Sequence, residues 1–332
     1  MSAEINVLIS SVGRRGQLVH CWKQSLAALG ASGRILGADC SRSAPAAFLV
    51  DQFFAVPACT NSDFVASILE ICRAQRISLV IPTIDTELPI YAAHRPAFEA
   101  QGTKVAVSSP KAVAIGGDKT ITRDWLVTHG FPAVRQGTPE EILNNPAGWR
   151  FPLIFKPRCG SASIGVRHIH SPEMLKLACA DESDAIVQEL AAGVEHTVNL
   201  LVSQSGRCVC SVPHRRCEVR GGEVSKGVTV KHRPLMDLAA RIVEALPDAS
   251  GPFNLQAFLS PSAEIQVIEI NPRFGGGFPL AYQAGADFPR WMIEELWGCP
   301  STASFDDWED SLAMLRYDTA VFRSLRDMGS PC

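Results

Sequence analysis

Glu269 and Asn271 stand two residues apart in the apolar run Gln266-Val267-Ile268-Glu269-Ile270-Asn271, and Pro272 and Arg273 follow before the chain breaks into Phe274 and the glycines 275–277. Side chains two apart in a strand point to one face, so a carboxylate and an amide oxygen would share a surface. That pair suits a hard, oxygen-seeking cation such as Mg²⁺ or Mn²⁺, and Arg273 could hold the phosphates that such a cation accompanies. A buried polar strand end fits this stretch alone equally well.

A second constellation lies upstream. Residues 151–157, Phe-Pro-Leu-Ile-Phe-Lys-Pro, read as an apolar strand with Lys156 near its end, where an ammonium needs an anion to offset its desolvation. The small-residue loop 158–166, with Cys159, Gly160, Ser161, Ser163 and Gly165, offers backbone N–H and hydroxyl groups to phosphate oxygens, although such loops also make plain turns. No Gly-Lys-Ser/Thr follows it, so it is not a P-loop; strand, loop and strand predict a hairpin lid. The strand 185–190 ends in Gln188, Glu189 and Leu190, whose backbone can meet the donor and acceptor of an adenine ring, and Glu195 could accept from ribose hydroxyls or be an ordinary exposed glutamate. Strands alternate over 197–202, 208–216 and 223–230, with Gly221-Gly222 as a hairpin turn, and Arg215, Arg216, Arg220 and Lys226 bring positive charge to them.

The segments 253–259 and 264–270 flank Ser260-Pro261-Ser262-Ala263 and form a second hairpin signal. With 261 and 262 as the turn centre, Asn254 would lie opposite Glu269 and Gln256 opposite Val267, on the face that carries Asn271. Three oxygen donors would then converge, provided the register does not slip by one.

These side chains need a scaffold, and the first third of the chain supplies an open parallel α/β pattern. Strands are expected at 5–10, 34–38, 77–82 and 104–107, with helices through residue 29 and from a Ser62 cap to residue 71. The loop Gly13-Arg14-Arg15-Gly16, followed by Asp39, lacks the three glycines of a dinucleotide fingerprint, which argues against NAD. Loops at strand carboxyl ends of such sheets bind ligands, so Gly13, Arg14, Arg15, Asp85 and Glu87 are candidate substrate contacts, with solvated loop charge as the alternative. Residues 111–130 read as one helical stretch containing Asp118 and Lys119, and 313–321 as a strand.

Composition bounds the class. The 332 residues are 46% hydrophobic and 20% charged, with a formal net charge of -3, so no electrostatic footprint for nucleic acid exists and a small molecule is the expected partner. The first residues lack the pattern of a signal peptide and no apolar run would span a membrane, which predicts a cytoplasmic protein. Eleven cysteines, odd in number and without a Cys-x-x-Cys, read as free thiols of a reducing compartment; Cys208 and Cys210, two apart, would share a strand face.

Taken in order, Lys119, the Lys156 strand with its glycine loop, Gln188-Glu189-Leu190, Glu195, Gln256, Glu269, Asn271 and Arg273 resemble the ATP-grasp superfamily over roughly residues 5–298. The likeness is to synthetase units of the carbamoyl phosphate synthetase large subunit and to the pyrrolysine-pathway ligase. It implies α/β and α+β architecture: an N-terminal open parallel α/β domain (1–110), a small lid (111–187) and a C-terminal mixed-sheet domain (188–332). By resemblance, Lys119, Lys156, Gly160, Ser161 and Ser163 contact ATP phosphates; Gln188, Glu189 and Leu190 line the adenine slot; and Glu195 holds ribose. Gln256, Glu269 and Asn271 bind Mg²⁺, and Arg273 and Lys156 act on the transferred phosphate. Apart from the resemblance, Arg216 and Lys226 join the charged candidate substrate contacts, with plain surface charge as the alternative. The implied chemistry is an ADP-forming carboxylate–amine ligation through an acyl phosphate, and the implied assembly allows a homodimer. The alternative is a nucleotide-binding or regulatory protein without turnover. Gln256 stands where many relatives carry a carboxylate, and Gln188 where a Glu is frequent. With one such unit and no glutaminase segment, carbamoyl phosphate itself is not the expected product.

Overall fold

The computed structural model describes residues 4–160 and 164–324. Three sheets divide this chain. The first is parallel and runs β3 (Gln52–Ala55), β2 (Ile35–Asp39), β1 (Asn6–Ser10), β4 (Ile77–Pro82), β5 (Lys104–Val105). Its central strands are apolar without alternation because helices cover both faces. Val7 and Ile9 of β1 enter one core with α1 (Gly16–Ala28), while Leu8 enters another with α2 (Phe64–Gln75) and α3 (Leu88–Glu99). The short strand β3 was not among the expected strands, and α2 begins at Phe64 after Asp63 rather than from a Ser62 cap.

The expected helix over 111–130 is two helices, α4 (Pro110–Gly117) and α5 (Lys119–Thr128). Asp118 adopts an extended backbone between them and its carboxylate accepts from Thr120 N and Ile121 N, capping α5. Both helices contact β14 (Ile265–Asn271) of the large sheet, and Ala112, Ile115 and Leu126 share that sheet's core.

A small antiparallel sheet follows, in the order β6 (Gln136–Gly137), β9 (Ala185–Glu189), β7 (Leu153–Pro157), β8 (Arg167–Ile169). Two helices, α6 (Pro139–Asn144) and α7 (Pro172–Asp181), lie in the same stretch, and Ile142, Phe155, Leu175 and Val187 close a core of its own. The expected boundary at 187/188 therefore falls inside β9. β7 and β8 pair as the expected hairpin across the glycine loop, of which Ser161 and Ser163 lie outside the described residues.

The third sheet is antiparallel in all its strand pairs and runs β14, β13 (Gly251–Leu259), β10 (Val194–Val202), β11 (Cys208–Arg220), β12 (Glu223–Thr229), β15 (Ala313–Leu315). Its back face buries Val198, Leu200, Leu255 and Ile270 under Leu235, Ile242 and Val243 of α8 (Arg233–Ala245). The other face joins the N-terminal domain through Trp22, Phe274, Phe278 and Phe288, the latter two opening α9 (Phe278–Gln283) and α10 (Phe288–Leu296). One apolar core thus ties the parallel sheet to the large sheet. The strand expected over 313–321 is only β15.

Cys208 and Cys210 do not share a face. The β10–β11 ladder skips Val209, so Cys208 enters the core under α8 and Cys210 the interdomain core. All ten described cysteines are free. Among the described residues, no helix is long and apolar enough to cross a membrane.

Glu87 proves to be structural. It is fully buried, its Oε2 accepts from the hydroxyls of Ser10 and Ser11, and its Oε1 accepts from the backbone of Thr83 and Ile84. Burial pushes its carboxyl above the ordinary range, while these donors pull it back. It ties the ends of β1 and β4 together and is unavailable to substrate. Replacing Glu87 by Ala leaves four donors unmet and is expected to lower unfolding free energy by roughly 3 kcal/mol, read as a lower urea midpoint at unchanged slope.

Candidate active site

The site grows from the pairing of β13 with β14. The ladder runs Leu259↔Ile265, Phe258↔Gln266 and Ala257↔Val267, then skips Ile268 and resumes as Gln256↔Glu269, Leu255↔Ile270 and Asn254↔Asn271. The turn is also wider than two residues: Ser260 N donates to Glu264 O, and Ala263 takes a positive φ of 63°. Gln256 is therefore opposite Glu269 rather than Val267, and Asn254 opposite Asn271 rather than Glu269. The wider turn and the skipped residue together move the expected register by two. Val267 turns into the core under α8, while Ile268 and Glu269 both line the cleft.

Neighbouring strands extend this row. Thr197 of β10 pairs with Gln256, and His214 of β11 pairs with Thr197. One carboxylate and two amides, Glu269, Gln256 and Asn271, are the oxygen donors. No group of three His, Cys, Asp or Glu that could hold a metal exists among the described residues. Glu269 accepts no hydrogen bond from a described residue, whereas Asn271 is held from both sides, its amide donating to Asn254 Oδ1 at 3.2 Å and its oxygen accepting from Arg273 at 3.3 Å. A free carboxylate beside neutral amide oxygens fits Mg²⁺ that takes its remaining ligands from phosphate and water.

Between the small and the large sheet lies a cavity of about 470 Å³, lined by Lys119, Lys156, Gly160, Gln188, Glu189, Leu190, Glu195, Gln256 and Glu269. The sequence-expected nucleotide residues that are described thus converge on one space. Lys156 is only 8% exposed and donates no hydrogen bond to a described residue. Burial pulls its ammonium down to about 8, against Glu269 and Glu195, which favour the charge, and with Lys119, which opposes it. Lys119, at the start of α5, donates to Gly160 O at 2.9 Å, and Asp118 holds Arg158 at 2.6 Å, so this helix start anchors the glycine loop. Gln188 donates to Gln136 at 2.8 Å, and the Glu189 carboxylate is paired with Arg135 at 2.8 Å. Arg135 in turn stacks on Trp149. Glu195 is raised by burial and by Glu269, with Arg216 and Lys156 opposing.

A narrower cleft of about 100 Å³ continues past Glu269 and adds Asn271, Arg273, Arg15, His214, Glu223 and the glycines 275–277. Arg216 lies at the junction, 3.1 Å from Glu195, with its guanidinium also on Thr197 and on Gly222 O. Arg273 donates from Nε and Nη2 to the two oxygens of Asp85, each at 2.6 Å, a side-on fork across the domain boundary. Asp85 therefore faces an arginine of this same chain. Gly13 donates its N–H to Asp39, and Arg15 pairs with Glu223 at 3.1 Å. Lys226, expected among the substrate contacts, lines neither cleft: it sits half exposed on β12, and its ammonium pairs with Glu218 at 2.7 Å. Sequence reasoning missed Glu223, His214 and Arg316. Glu223 directly follows Gly221-Gly222, which was the one available hint.

Known proteins resemble this chain in two halves. A family model described as "PylC-like, N-terminal domain" matches residues 7–106, and one described as "ATP-grasp in the biosynthetic pathway with Ter operon" matches residues 181–319. Residues 181–319 thus match an ATP-grasp family, and the chain has the ATP-grasp fold. A D-alanine–D-alanine ligase of Corynebacterium aurimucosum is 27% identical over 184 residues, 52% of this chain and 48% of that protein, so the chain spans about half the length of that relative. Solved structures share the fold. N5-carboxyaminoimidazole synthetase from Staphylococcus aureus superimposes with a TM-score of 0.69 at 15% identity, over 92% of this chain and 80% of that one. The biotin carboxylase domain of Hydrogenobacter thermophilus 2-oxoglutarate carboxylase, crystallised with MgADP, does so with a TM-score of 0.71 at 14% identity, over 93% and 73%.

The buried Lys156 gives this ATP-grasp chain a testable pH signature. Its folded value of about 8 lies below the ordinary 10.5, so the folded chain releases this proton first. Stability consequently improves as pH rises from about 8 toward 10.5, while the cation available to a phosphate disappears over the same rise. ADP affinity, followed by titration calorimetry, is expected to fall above pH 8 in the native chain. In Lys156→Met it is expected to be weaker by roughly tenfold and flat across that range.

Proposed function

We propose that this chain is an ATP-dependent carboxylate–amine ligase that forms an amide bond on a small metabolite and releases ADP and phosphate. The observation that carries this reading is the continuity of two cavities through shared walls: Arg216, Gly222, Gln256 and Glu269 line both the 470 Å³ nucleotide-sized cavity and the narrower cleft that holds Arg273. A phosphate at the end of the first cavity would meet a carboxylate in the second. The D-alanine–D-alanine ligase similarity over the matched segment supports the same bond type.

In this reading the adenine lies against Gln188, Glu189 and Leu190 and the ribose near Glu195, with Lys119, Lys156 and the Gly160 loop on the phosphates. Gln256, Glu269 and Asn271 would hold Mg²⁺, which when bound supplies charge neutralisation for the phosphates. Lys156 neutralises charge spreading over the transferred phosphoryl oxygens, as does Arg273 once Asp85 yields it. The substrate carboxylate attacks the γ-phosphorus and the bond from the β,γ-bridging oxygen to it breaks toward ADP; the amine then attacks the acyl carbon, loses a proton and expels inorganic phosphate to leave the amide. Closure of the small sheet excludes water that would otherwise hydrolyse it. Residues 1–110 would carry substrate loops and residues near 130–189 the lid, and the free thiols suit a reducing compartment.

The bidentate hold of Asp85 on Arg273 favours one second reading, nucleotide binding without turnover. Incubation with ATP, Mg²⁺ and pooled amino acids decides between them by the ADP and phosphate released. The ligase reading expects release that depends on added substrate and falls roughly a hundredfold in kcat in Arg273→Gln, with ADP affinity little changed. Nucleotide bound with no such release supports the second reading.

A further inference from the structure

Beyond the glycines 275 and 276 the cleft opens into a cavity of about 180 Å³ that phosphate transfer does not use. Room for roughly six waters is also room for the end of a short charged chain. Arg14, Arg15 and Arg316 line it against one carboxylate, Glu223, so its walls carry three positive charges and one negative. Glu223 is already engaged, by Arg15 at 3.1 Å and Arg316 at 3.0 Å. Arg14 pairs with no carboxylate among the described residues. Asp85, the other nearby carboxylate, is held by Arg273.

The cluster is therefore short of anions where it is least solvated. Arg15 has a side chain only 19% exposed. Burial works against its charge, and Arg273 and Arg316 add to that while Glu223 and Asp85 oppose it. Arg316 is locked in place by donating to Gly276 O at 3.0 Å and Val224 O at 3.2 Å. Guanidiniums fixed side by side around a cavity recruit an oxyanion. The cavity shares Arg15, Glu223, Gly275 and Gly276 with the cleft that contains Glu269 and Arg273. A side chain on Gly276 would run into the Glu223 carboxylate, so the glycine keeps that close approach.

We infer that this cavity is a second anion site, separate from the γ-phosphate position, which holds a non-reacting carboxylate or phosphate group of a substrate whose other end reaches Glu269 and Arg273. Its role as a substrate site rests on the ligase reading, but its ability to bind the anionic end of a two-ended molecule does not. It also gives a task to the segment after β15, since Arg316 comes from there.

Titration calorimetry on the full chain, with ADP and Mg²⁺ saturating, tests it with succinate, β-alanine and O-phosphoethanolamine, and with butyrate and butylamine as single-ended comparisons. At least one of the three two-ended compounds is expected to bind, with affinity falling as salt is raised. Arg14→Gln, which disturbs no internal ion pair, is expected to weaken it roughly tenfold and to leave ADP affinity unchanged. Arg316→Gln should weaken it at least as much. Whether succinate, β-alanine or O-phosphoethanolamine binds best identifies the group as carboxylate or phosphate. No binding by any of the three, equal affinity in Arg14→Gln, or butyrate binding as tightly as succinate overturns the inference. Arg14-dependent binding without substrate-dependent ADP release would sink the ligase reading alone; ADP release with Arg14-indifferent binding would sink only the second anion site.

Discussion

The site depends on one irregularity, the residue that the β13–β14 ladder skips. A regular strand would send Ile268 and Glu269 to opposite faces. The bulge lets both face the cleft, turns Val267 into the core under α8, and still leaves Ile270 in that core and Asn271 beside Asn254. In the proposed nucleotide site, an apolar wall from Ile268 and the carboxylate proposed for the metal thus come from consecutive positions. Without the bulge, either the core would lose Val267 or the cleft would lose Ile268. Bulges of this kind recur where a strand must re-aim a side chain, and here the re-aimed group is the lone carboxylate of the donor set.

Charge placement follows from that geometry. Lys156 is buried next to Glu269 and Glu195, close enough for each to influence the other, yet it makes no hydrogen bond to a described residue. A buried ammonium with attraction but no partner is an incomplete arrangement, and a polyphosphate completes it. Arg273 is the opposite case, fully satisfied by Asp85. The two cations that the proposed function puts on the phosphates therefore differ: Lys156 has no anionic partner in hydrogen-bond contact, whereas Arg273 would have to exchange Asp85 for one.

The alternation of strands and the order of motifs were legible in the sequence, because apolar periodicity and glycine punctuation are local signals. Gly221-Gly222, both with positive φ, sit where the hairpin between β11 and β12 was expected, and β7 and β8 pair across the glycine loop as expected. The converging group Lys119, Lys156, Gln188 and Glu269 was legible through its order along the chain. What escaped were properties that exist only in three dimensions. No local pattern distinguishes a bulged β14 or a bulged β11 from a regular strand, so the cross-strand partner of Gln256 and the facing of the Cys208–Cys210 pair were misjudged, although Gln256 does share the face of Asn271. Glu87 and Asp85 look alike in sequence, two acidic residues in one short loop. One is sealed beneath Ser10, Ser11 and Thr83 and the other reaches across to Arg273, and only burial separates them.

The same cross-domain contacts explain why the N-terminal sheet belongs to the site at all. Asp85 follows β4 and Arg15 precedes α1, so both sit at the carboxyl edge of the parallel sheet, where such sheets present their loops. One reaches Arg273 beyond β14 and the other reaches Glu223 at the start of β12. The apolar contact of Trp22 with Phe274, ring centroids 6.4 Å apart, lies beside them and fixes the spacing. Because that packing is close, the two ion pairs need not hold the domains together. Their charges are left free to be exchanged for those of a substrate, which is why breaking Asp85 from Arg273 could serve chemistry without opening the interdomain core.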